Sequence, residues 1–448
     1  MTEREFAISV VRRLREAGHE ALWAGGCVRD ELLGLVPGDY DVATDARPEE
    51  VSGLFRRTVA VGVSFGVVNV LGPRSDGETL QVEVATFRSD AGYSDGRHPD
   101  SVHFTSARED ALRRDFTING MFFDPLENKL IDYVGGQADL KQKILRAIGA
   151  PAVRFAEDKL RMLRAVRIAT RFDFAIEPAT AAALAAMARQ ILVVSAERIA
   201  EELRKLLLSP HRARGVNLLL ELGLARAILP ELLPMKGLPQ GPPHEPNGDL
   251  WDHVLRVLEL LGPSVSFPLA LAALLHDVGK PRTVGRTPDR YTFYSHEHVG
   301  RRLAEEIAER LKLSNAERER IGWLVEKHQF LCEARQMRVS KLKQTLAHPG
   351  IRDLLALHRA DALASGRSTD QVEYCEHLLS RWTRADLDPV PVFTGDDLRE
   401  LGLEPGPIYK RLLEAVREAQ LEGAVKTKAQ ALELVRRLLE EEDSHGLP

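Results

Sequence analysis

The 448-residue sequence predicts an α+β N-terminal head followed by a longer helical region, on three observations. The first third mixes short β-rich runs with turn residues. From about Phe155 onward, windows rich in Ala, Leu, Arg and Glu keep helical periodicity with hardly any strand signal. The length exceeds what one hydrophobic core serves, so two to four compact units are expected.

The head opens with an amphipathic helical pattern over residues 3 to 17, then shows strand-like runs at Val59–Leu71 and Thr79–Phe87, punctuated by Pro37-Gly38 and Ser75-Asp76-Gly77. The cluster from Leu229 to Gly248, with six prolines, predicts a long loop and a domain boundary. A second boundary is expected near Asp386 to Pro391, before a last pair of helices and an acidic end at Glu440 to Asp443. The reading divides the chain into an α+β head over 1–150 and helical regions over 151–240, 241–385 and 386–448. No internal repeat is found.

Hydrophobic residues make up 44% and charged residues 28%, which excludes wholesale disorder. The first residues carry acidic side chains in place of a signal peptide's positive patch and long apolar core, and no run of about 20 apolar residues follows. Cys27, Cys332 and Cys375 are too few and too far apart for a disulfide framework or a cysteine zinc site. A cytoplasmic protein with no membrane partner is expected. The net charge of −5 means that any nucleic-acid contact needs a local patch. The stretch from Lys141 to Arg171 supplies nine basic residues against Glu157 and Asp158.

Gly25 and Gly26 lie where a strand meets a helix, so backbone amides can approach a phosphate, with Arg29 adding a charged fork. Asp39-Tyr40-Asp41 on a strand sends both carboxylates to one face, able to hold two divalent cations about 4 Å apart, as nucleotidyl transfer requires. Glu83 on a second strand is a candidate third carboxylate. The segment Arg113-Arg114-Asp115-Phe116-Thr117-Ile118-Asn119 follows, where Arg114 can neutralise triphosphate charge and Asn119 can contact a sugar.

These motifs, together with Phe155-Ala-Glu157-Asp158-Lys-Leu-Arg161, resemble in order and spacing the bacterial class II tRNA nucleotidyltransferases, the family of CCA-adding enzymes and poly(A) polymerases. The resemblance is strong over residues 22 to about 210 and moderate beyond. It implies a polymerase β-like head, a neck that selects the base, and body and tail regions that grip tRNA. Asp39, Asp41 and Glu83 would be catalytic, with Mg²⁺ on Asp39 and Asp41. Gly25, Gly26, Arg29, Arg114, Asp115, Asn119, Glu157, Asp158, Arg161 and Arg164 would bind the nucleotide. Asp158 can accept from the exocyclic amine that cytosine and adenine share, while Arg161 donates to the ring. Arg161, Arg164 and Arg167 share a helix face.

The implied reaction is template-independent addition of C, C and A to the 3′ end of tRNA from CTP and ATP. The stretch Arg88 to Asp110, with Tyr93 to Pro99, resembles the flexible loop that CC-only enzymes lack. Where poly(A) polymerases carry a Gly-Arg-Arg-Phe type segment, this chain reads Val61-Gly62-Val63-Ser64-Phe65-Gly66-Val67-Val68. A-only addition and poly(A) synthesis are the alternatives.

Further on, His253, His276-Asp277 and Asp361 resemble the HD superfamily of metal-dependent phosphohydrolases. His296 and His328 stand where two-metal members supply further ligands, and a transition metal such as Mn²⁺, Ni²⁺ or Fe²⁺ is implied. A His-Asp pair in an apolar helix is costly to bury without a cation. His298 is expected on the surface. The implied chemistry is phosphatase or cyclic phosphodiesterase action on RNA 3′ ends. The sequence leaves the oligomeric state open.

Overall fold

The computed structural model describes residues 1–62, 66–75, 78–92, 101–240 and 248–445. The chain divides into two compact units, one of residues 1–233 with 310–312 and the other of residues 234–309 with 313–448.

The first unit begins with helix α1 (Glu3–Glu16), started by a Thr2/Glu5 capping box and burying Phe6, Ala7, Val10, Val11 and Leu14 on one stripe. Seven strands form the head sheet: β1 (Ala21–Ala24), β2 (Asp41–Thr44), β3 (Thr58–Gly62), β4 (Val67–Ser75), β5 (Glu78–Thr86), and, after a hairpin of β6 (Arg88–Ala91) and β7 (Ser101–Phe104), β8 (Met121–Asp124) and β9 (Lys129–Asp132). Their order is β3-β4-β5-β2-β1-β8-β9. Only β2 and β5 pair in parallel, in a register that sets Asp41 beside Glu83. Helix α2 (Gly26–Leu32) leaves the end of β1, and α3 (Pro48–Leu54), α4 (Ala107–Arg113) and α5 (Gly136–Gln142) complete the head. Leu22, Ala24, Ala43, Phe87, Ala107, Ala111 and Phe122 form one core between sheet and helices.

A short parallel pair, β10 (Ile144–Leu145) with β11 (Ala175–Ile176), brackets α6 (Pro151–Glu157) and α7 (Arg161–Phe172). Helix α7 buries Met162, Leu163, Ala165, Val166, Ile168, Ala169 and Thr170, which turns its arginines away from the core. The unit continues through α8 (Pro178–Met187), α9 (Ala196–Leu207), α10 (Arg212–Glu221) and α11 (Leu224–Ile228).

The second unit starts inside the proline-rich stretch. That stretch is not wholly loop, since Pro230–Met235 forms a 3₁₀ helix that Pro230 opens, at a position that needs no amide donor, with Pro234 inside it. Its residues 241–247, the turn residues Asp76 and Gly77, the stretch Tyr93 to Pro99 and residues 63–65 lie outside the described residues. Helix α12 (Leu250–Leu260) and the apolar α13 (Phe267–Leu275) are followed by α14 (Lys280–Thr283), a hairpin of β12 (Gly285–Arg286) and β13 (Tyr291–Thr292), α15 (His296–Arg310), α16 (Asn315–Lys327), α17 (Val339–Leu346), α18 (Ile351–Ala364) and α19 (Asp370–Arg381). The last elements, α20 (Arg384–Leu387), α21 (Gly395–Glu400), α22 (Pro407–Glu422) and α23 (Lys428–His445), enclose a cluster of Phe393, Leu398, Leu412, Val416, Val425, Ala431 and Val435. Among the described residues no helix is long and apolar enough to cross a membrane.

Candidate functional site

A cleft of about 390 Å³ in the first unit is lined by Gly25, Gly26, Arg29, Asp39, Asp41, Arg113, Arg114, Asp115, Asn119, Arg161, Arg164, Arg167 and Ile168. Sequence positions more than a hundred apart thus meet at one surface.

The carboxylates come from two neighbouring strands. Asp41 opens β2 and Asp39 precedes it, so Asp39 is not itself a strand residue. Tyr40 nevertheless turns inward, its ring centroid 4.8 Å from that of Trp23 and its hydroxyl donating to Glu31 at 2.6 Å. Burial, with Glu83 and Asp39 adding like charge, pushes the Asp41 carboxyl up to about 7. Burial and Asp39 raise Glu83 as well. Asp41 and Glu83, whose ionisation burial and neighbouring like charge oppose, are groups that a polyvalent cation relieves, and the donor set, all oxygen, suits Mg²⁺.

Gly25 holds φ at +77°, and a Cβ there would lie 2.9 Å from Nη1 of Arg114, so glycine keeps the turn open for that guanidinium. Arg114 is fixed in turn by Asp110, whose Oδ2 accepts from Nε at 3.1 Å and Nη2 at 3.0 Å, while Oδ1 accepts from Arg113 Nε at 2.9 Å and Nη2 at 2.7 Å. Burial would raise the Asp110 carboxyl, but Arg114 and Arg113 hold it below its ordinary range. Arg29 is almost buried over the Phe172 ring, with Nε on Asp30 at 2.8 Å and Nη1 on Asn119 at 2.6 Å. Asn119 donates onward to Asp115 at 3.1 Å. Arg29 and Asn119 therefore brace the floor of the cleft.

The basic stretch from Lys141 to Arg171 is not a free cationic patch. Arg146 pairs with Asp139, Arg154 and Arg161 with Glu157, Arg164 with Asp115, Arg167 with Glu202 and Arg171 with Asp30. Helix α7 packs its apolar side on α9 and α10, and its guanidiniums meet carboxylates of α6, α9 and the head. Asp115 is buried: burial would raise its carboxyl, yet Arg164 and Asn119 hold it below the ordinary range. Arg154 also donates to the last carbonyls of α4, Leu112 and Arg113, both at 2.9 Å. Glu157 and Asp158 do not line the cleft. Asp158 accepts from the Leu160 amide at 3.0 Å and from Arg198 at 3.1 Å.

The second unit gathers the HD residues. His276 caps the end of α13 and Asp277 follows it, so the pair lies at the end of the apolar helix and not within it. His253 comes from α12, His296 starts α15, His328 caps α16 and Asp361 lies on α18. Two triads share Asp277: His253 and His276 with Asp277, and His296 and His328 with Asp277, ligand atoms within 4.8 Å of one another in each. Nε2 of His253 and His276 are 3.2 Å apart, and those of His296 and His328 3.4 Å. Nδ1 of His276, His296 and His328 faces the carbonyls of Ala273, Phe293 and Val325 at 2.8, 2.8 and 2.7 Å. With Nδ1 facing a carbonyl, the Nε2 atoms of His276, His296 and His328 are the ones left to ligate a cation. Asp277 Oδ1 is buried without a hydrogen-bond partner. These residues fit a divalent metal, and nitrogen donors suit a transition ion.

Asp361 stands beside the first triad, Oδ1 3.2 Å from His253 Nε2 and Oδ2 accepting from Arg367 at 2.6 Å. Lys280 reaches Asp277 at 2.7 Å. Gly279 passes so close to α15 that a Cβ would meet the His296 carbonyl at 2.1 Å. His298, 66% exposed, stays on the surface as expected. Sequence reading missed Asp110, Arg198, Glu202 and Arg367, and took Arg154 only as part of the basic stretch. Asp110, three and four residues before Arg113 and Arg114, and Arg154, three before Glu157, had a local signal.

The sequence matches the family described as the poly A polymerase head domain over residues 21–146, a probable RNA and SrmB-binding site of polymerase A over 173–236, and the HD domain over 250–366. An A-adding tRNA nucleotidyltransferase of Deinococcus radiodurans is 35% identical over 445 residues, covering 94% of this chain and 96% of the relative. A CCA-adding enzyme of Anoxybacillus flavithermus is 42% identical over 231 residues, 51% of this chain and 56% of the relative. The matched stretch thus spans about half the length of such CCA-adding relatives. The crystal structure of the Bacillus stearothermophilus CCA-adding enzyme in complex with CTP aligns with a TM-score of 0.73 at 27% identity, over 99% of this chain and 100% of the other. An end-to-end relative at this identity settles the family: the chain belongs to the tRNA nucleotidyltransferases, with a poly A polymerase head, an RNA-binding region and an HD domain.

Proposed function

We propose that this chain adds C, C and A to the 3′ end of tRNA, using CTP and ATP, in the cleft of its first unit. The observation that carries the reading is the convergence there of Asp39, Asp41, Arg114, Asn119, Arg161 and Arg164. Mg²⁺ held by Asp39 and Asp41, with Glu83 beside them, would supply activation of the 3′ hydroxyl and neutralisation of the leaving pyrophosphate. The chain's own groups do the rest. Gly25 and Gly26 let the triphosphate approach the backbone, while Arg113 and Arg114, aimed by Asp110, donate to its oxygens. Arg161, which lines the cleft and is anchored on Glu157, donates to the base. Asp158, three residues earlier and off that lining, is the residue we assign to accept from the exocyclic amine, so uracil and guanine present the wrong edges.

The division into head, neck, HD region and tail follows this scheme, with a cytoplasmic address where tRNA matures. The HD cluster of His253, His276, Asp277, His296, His328 and Asp361 would hold divalent ions that supply Lewis acidity for hydrolysing phosphate esters at RNA 3′ ends. Trimming an end before extending it joins the two activities on one substrate.

A second reading, addition of A alone, has one specific observation behind it: the relative that matches end to end carries that name. Transcripts of tRNA ending at the discriminator base, at C or at CC, incubated with Mg²⁺ and CTP, ATP or both, separate the cases. Growth of all three to CCA, and no further, is the expected result. One A on the CC-ended transcript alone would assign A addition, and long ATP tails on any RNA would assign poly(A) synthesis.

A further inference from the structure

Helix α9 backs the base-reading edge of the neck with two charged contacts one turn apart. Glu202, only 8% exposed, accepts from Nε of Arg167 at 2.5 Å, and Arg167 lines the cleft. Four residues earlier, Arg198 donates from Nη2 to Oδ2 of Asp158 at 3.1 Å. The other oxygen of Asp158 is held by the Leu160 amide at 3.0 Å, at the elbow between α6 and α7 where Asp158 itself is extended, φ −140° and ψ 110°. Both partners are largely shielded, Arg198 at 25% and Asp158 at 15% side-chain exposure.

A carboxylate has about four acceptor positions, so two remain after these bonds. The direction in which they point is fixed by its two donors. One donor belongs to the elbow and moves with it. The other, Arg198, comes from a helix that α7 already grips through Arg167, so it ties Asp158 to the frame that carries the cleft's arginines.

We propose that Arg198 is a positioning residue for nucleobase discrimination, setting the carboxylate of Asp158 at the place where an amine-bearing base edge is accepted. The inference rests on the reading above that Asp158 accepts from the exocyclic amine. A carboxylate left to rotate would still accept that amine but would exclude the uracil carbonyl less well. Discrimination should therefore suffer more than chemistry.

The test compares CTP and UTP as single-nucleotide substrates on a transcript ending at the discriminator base, using the parent, Arg198→Ala, Arg198→Lys, Asp158→Ala and the double variant, all matched for melting temperature. Arg198→Ala should lower the CTP-over-UTP ratio of kcat/KM on the order of tenfold, the worth of one charge-assisted hydrogen bond, while kcat with CTP stays near the parent value. Arg198→Lys should restore part of the ratio. The double variant should discriminate no worse than Asp158→Ala, since the arginine acts through that carboxylate. If Asp158→Ala loses discrimination and Arg198→Ala keeps it, or the two losses add, the positioning role is wrong and base reading by Asp158 survives. If Asp158→Ala itself keeps discrimination, both readings fall.

Discussion

Replacing Asp110 by asparagine leaves volume and backbone unchanged and removes the charge that aligns Arg113 and Arg114. Four guanidinium contacts of 2.7 to 3.1 Å converge on this carboxylate, which is 2% exposed. The new amide nitrogen faces a guanidinium, donor against donor. Gross losses of two charge-assisted pairs reach about 3–6 kcal/mol. Both arginines keep 20% side-chain exposure and recover some hydration, so a net cost of about 3 kcal/mol is expected. For a unit of this size that is a fall of about 9 °C in Tm.

The pH dependence gives an independent check. The arginines hold the Asp110 carboxyl below its ordinary value, so its contribution is complete above the unfolded pKa of about 4 and is lost as pH falls through the lower folded value. The Tm gap between parent and Asp110→Asn should be full at pH 7 and shrink in acid. Differential scanning calorimetry at several pH values reads both quantities. An unchanged Tm at pH 7, or a gap that widens in acid, would refute the reasoning.

Three other outcomes follow from the two sites. Gly25→Ala forces a side chain onto a φ of +77° and against Arg114, so kcat/KM for CTP should fall on the order of tenfold, ~1.4 kcal/mol; an unchanged value would remove Gly25 from the cradle. Because Asp41 sits at about 7, protons compete with Mg²⁺ below that pH, so affinity measured by calorimetric titration should drop between pH 8 and pH 6, and Asp41→Asn should flatten the curve. Adding Mn²⁺ or Ni²⁺ to chelator-treated protein should raise the melting temperature of the second unit, and Asp277→Ala, which removes the carboxylate common to both triads, should abolish the rise and the metal retained by elemental analysis.

The head was legible because its signals are local. Alternation in Thr79–Phe87 marks β5, and the Gly25-Gly26 turn marks the join of β1 and α2, so the neighbourhood of Asp41 and Glu83 needed only the pairing of two strands. The arginines of α7 were legible as one face, but not the carboxylate that each of them meets. Their partners Asp30, Asp115 and Glu202 lie far along the chain, and sequence spacing carries no information about which carboxylate a buried face will meet. The histidines and aspartates of the HD cluster were singled out by residue type, whereas the position of His276 at the end of α13 followed from where packing stops the helix. Asp158 shows the same limit: its place in the motif pointed to the base, but its tie to Arg198 exists only once α9 is packed on α7.

The central claim is that Asp39 and Asp41 carry nucleotidyl transfer to an RNA 3′ end. The most direct measurement is the rate of first-nucleotide addition from CTP and Mg²⁺ to a tRNA transcript ending at the discriminator base, for the parent and for Asp39→Ala and Asp41→Ala at matched melting temperature. Addition by the parent, with loss of at least about a thousandfold in each variant, is the predicted result. A variant that still extends the transcript at the parent's rate would contradict it.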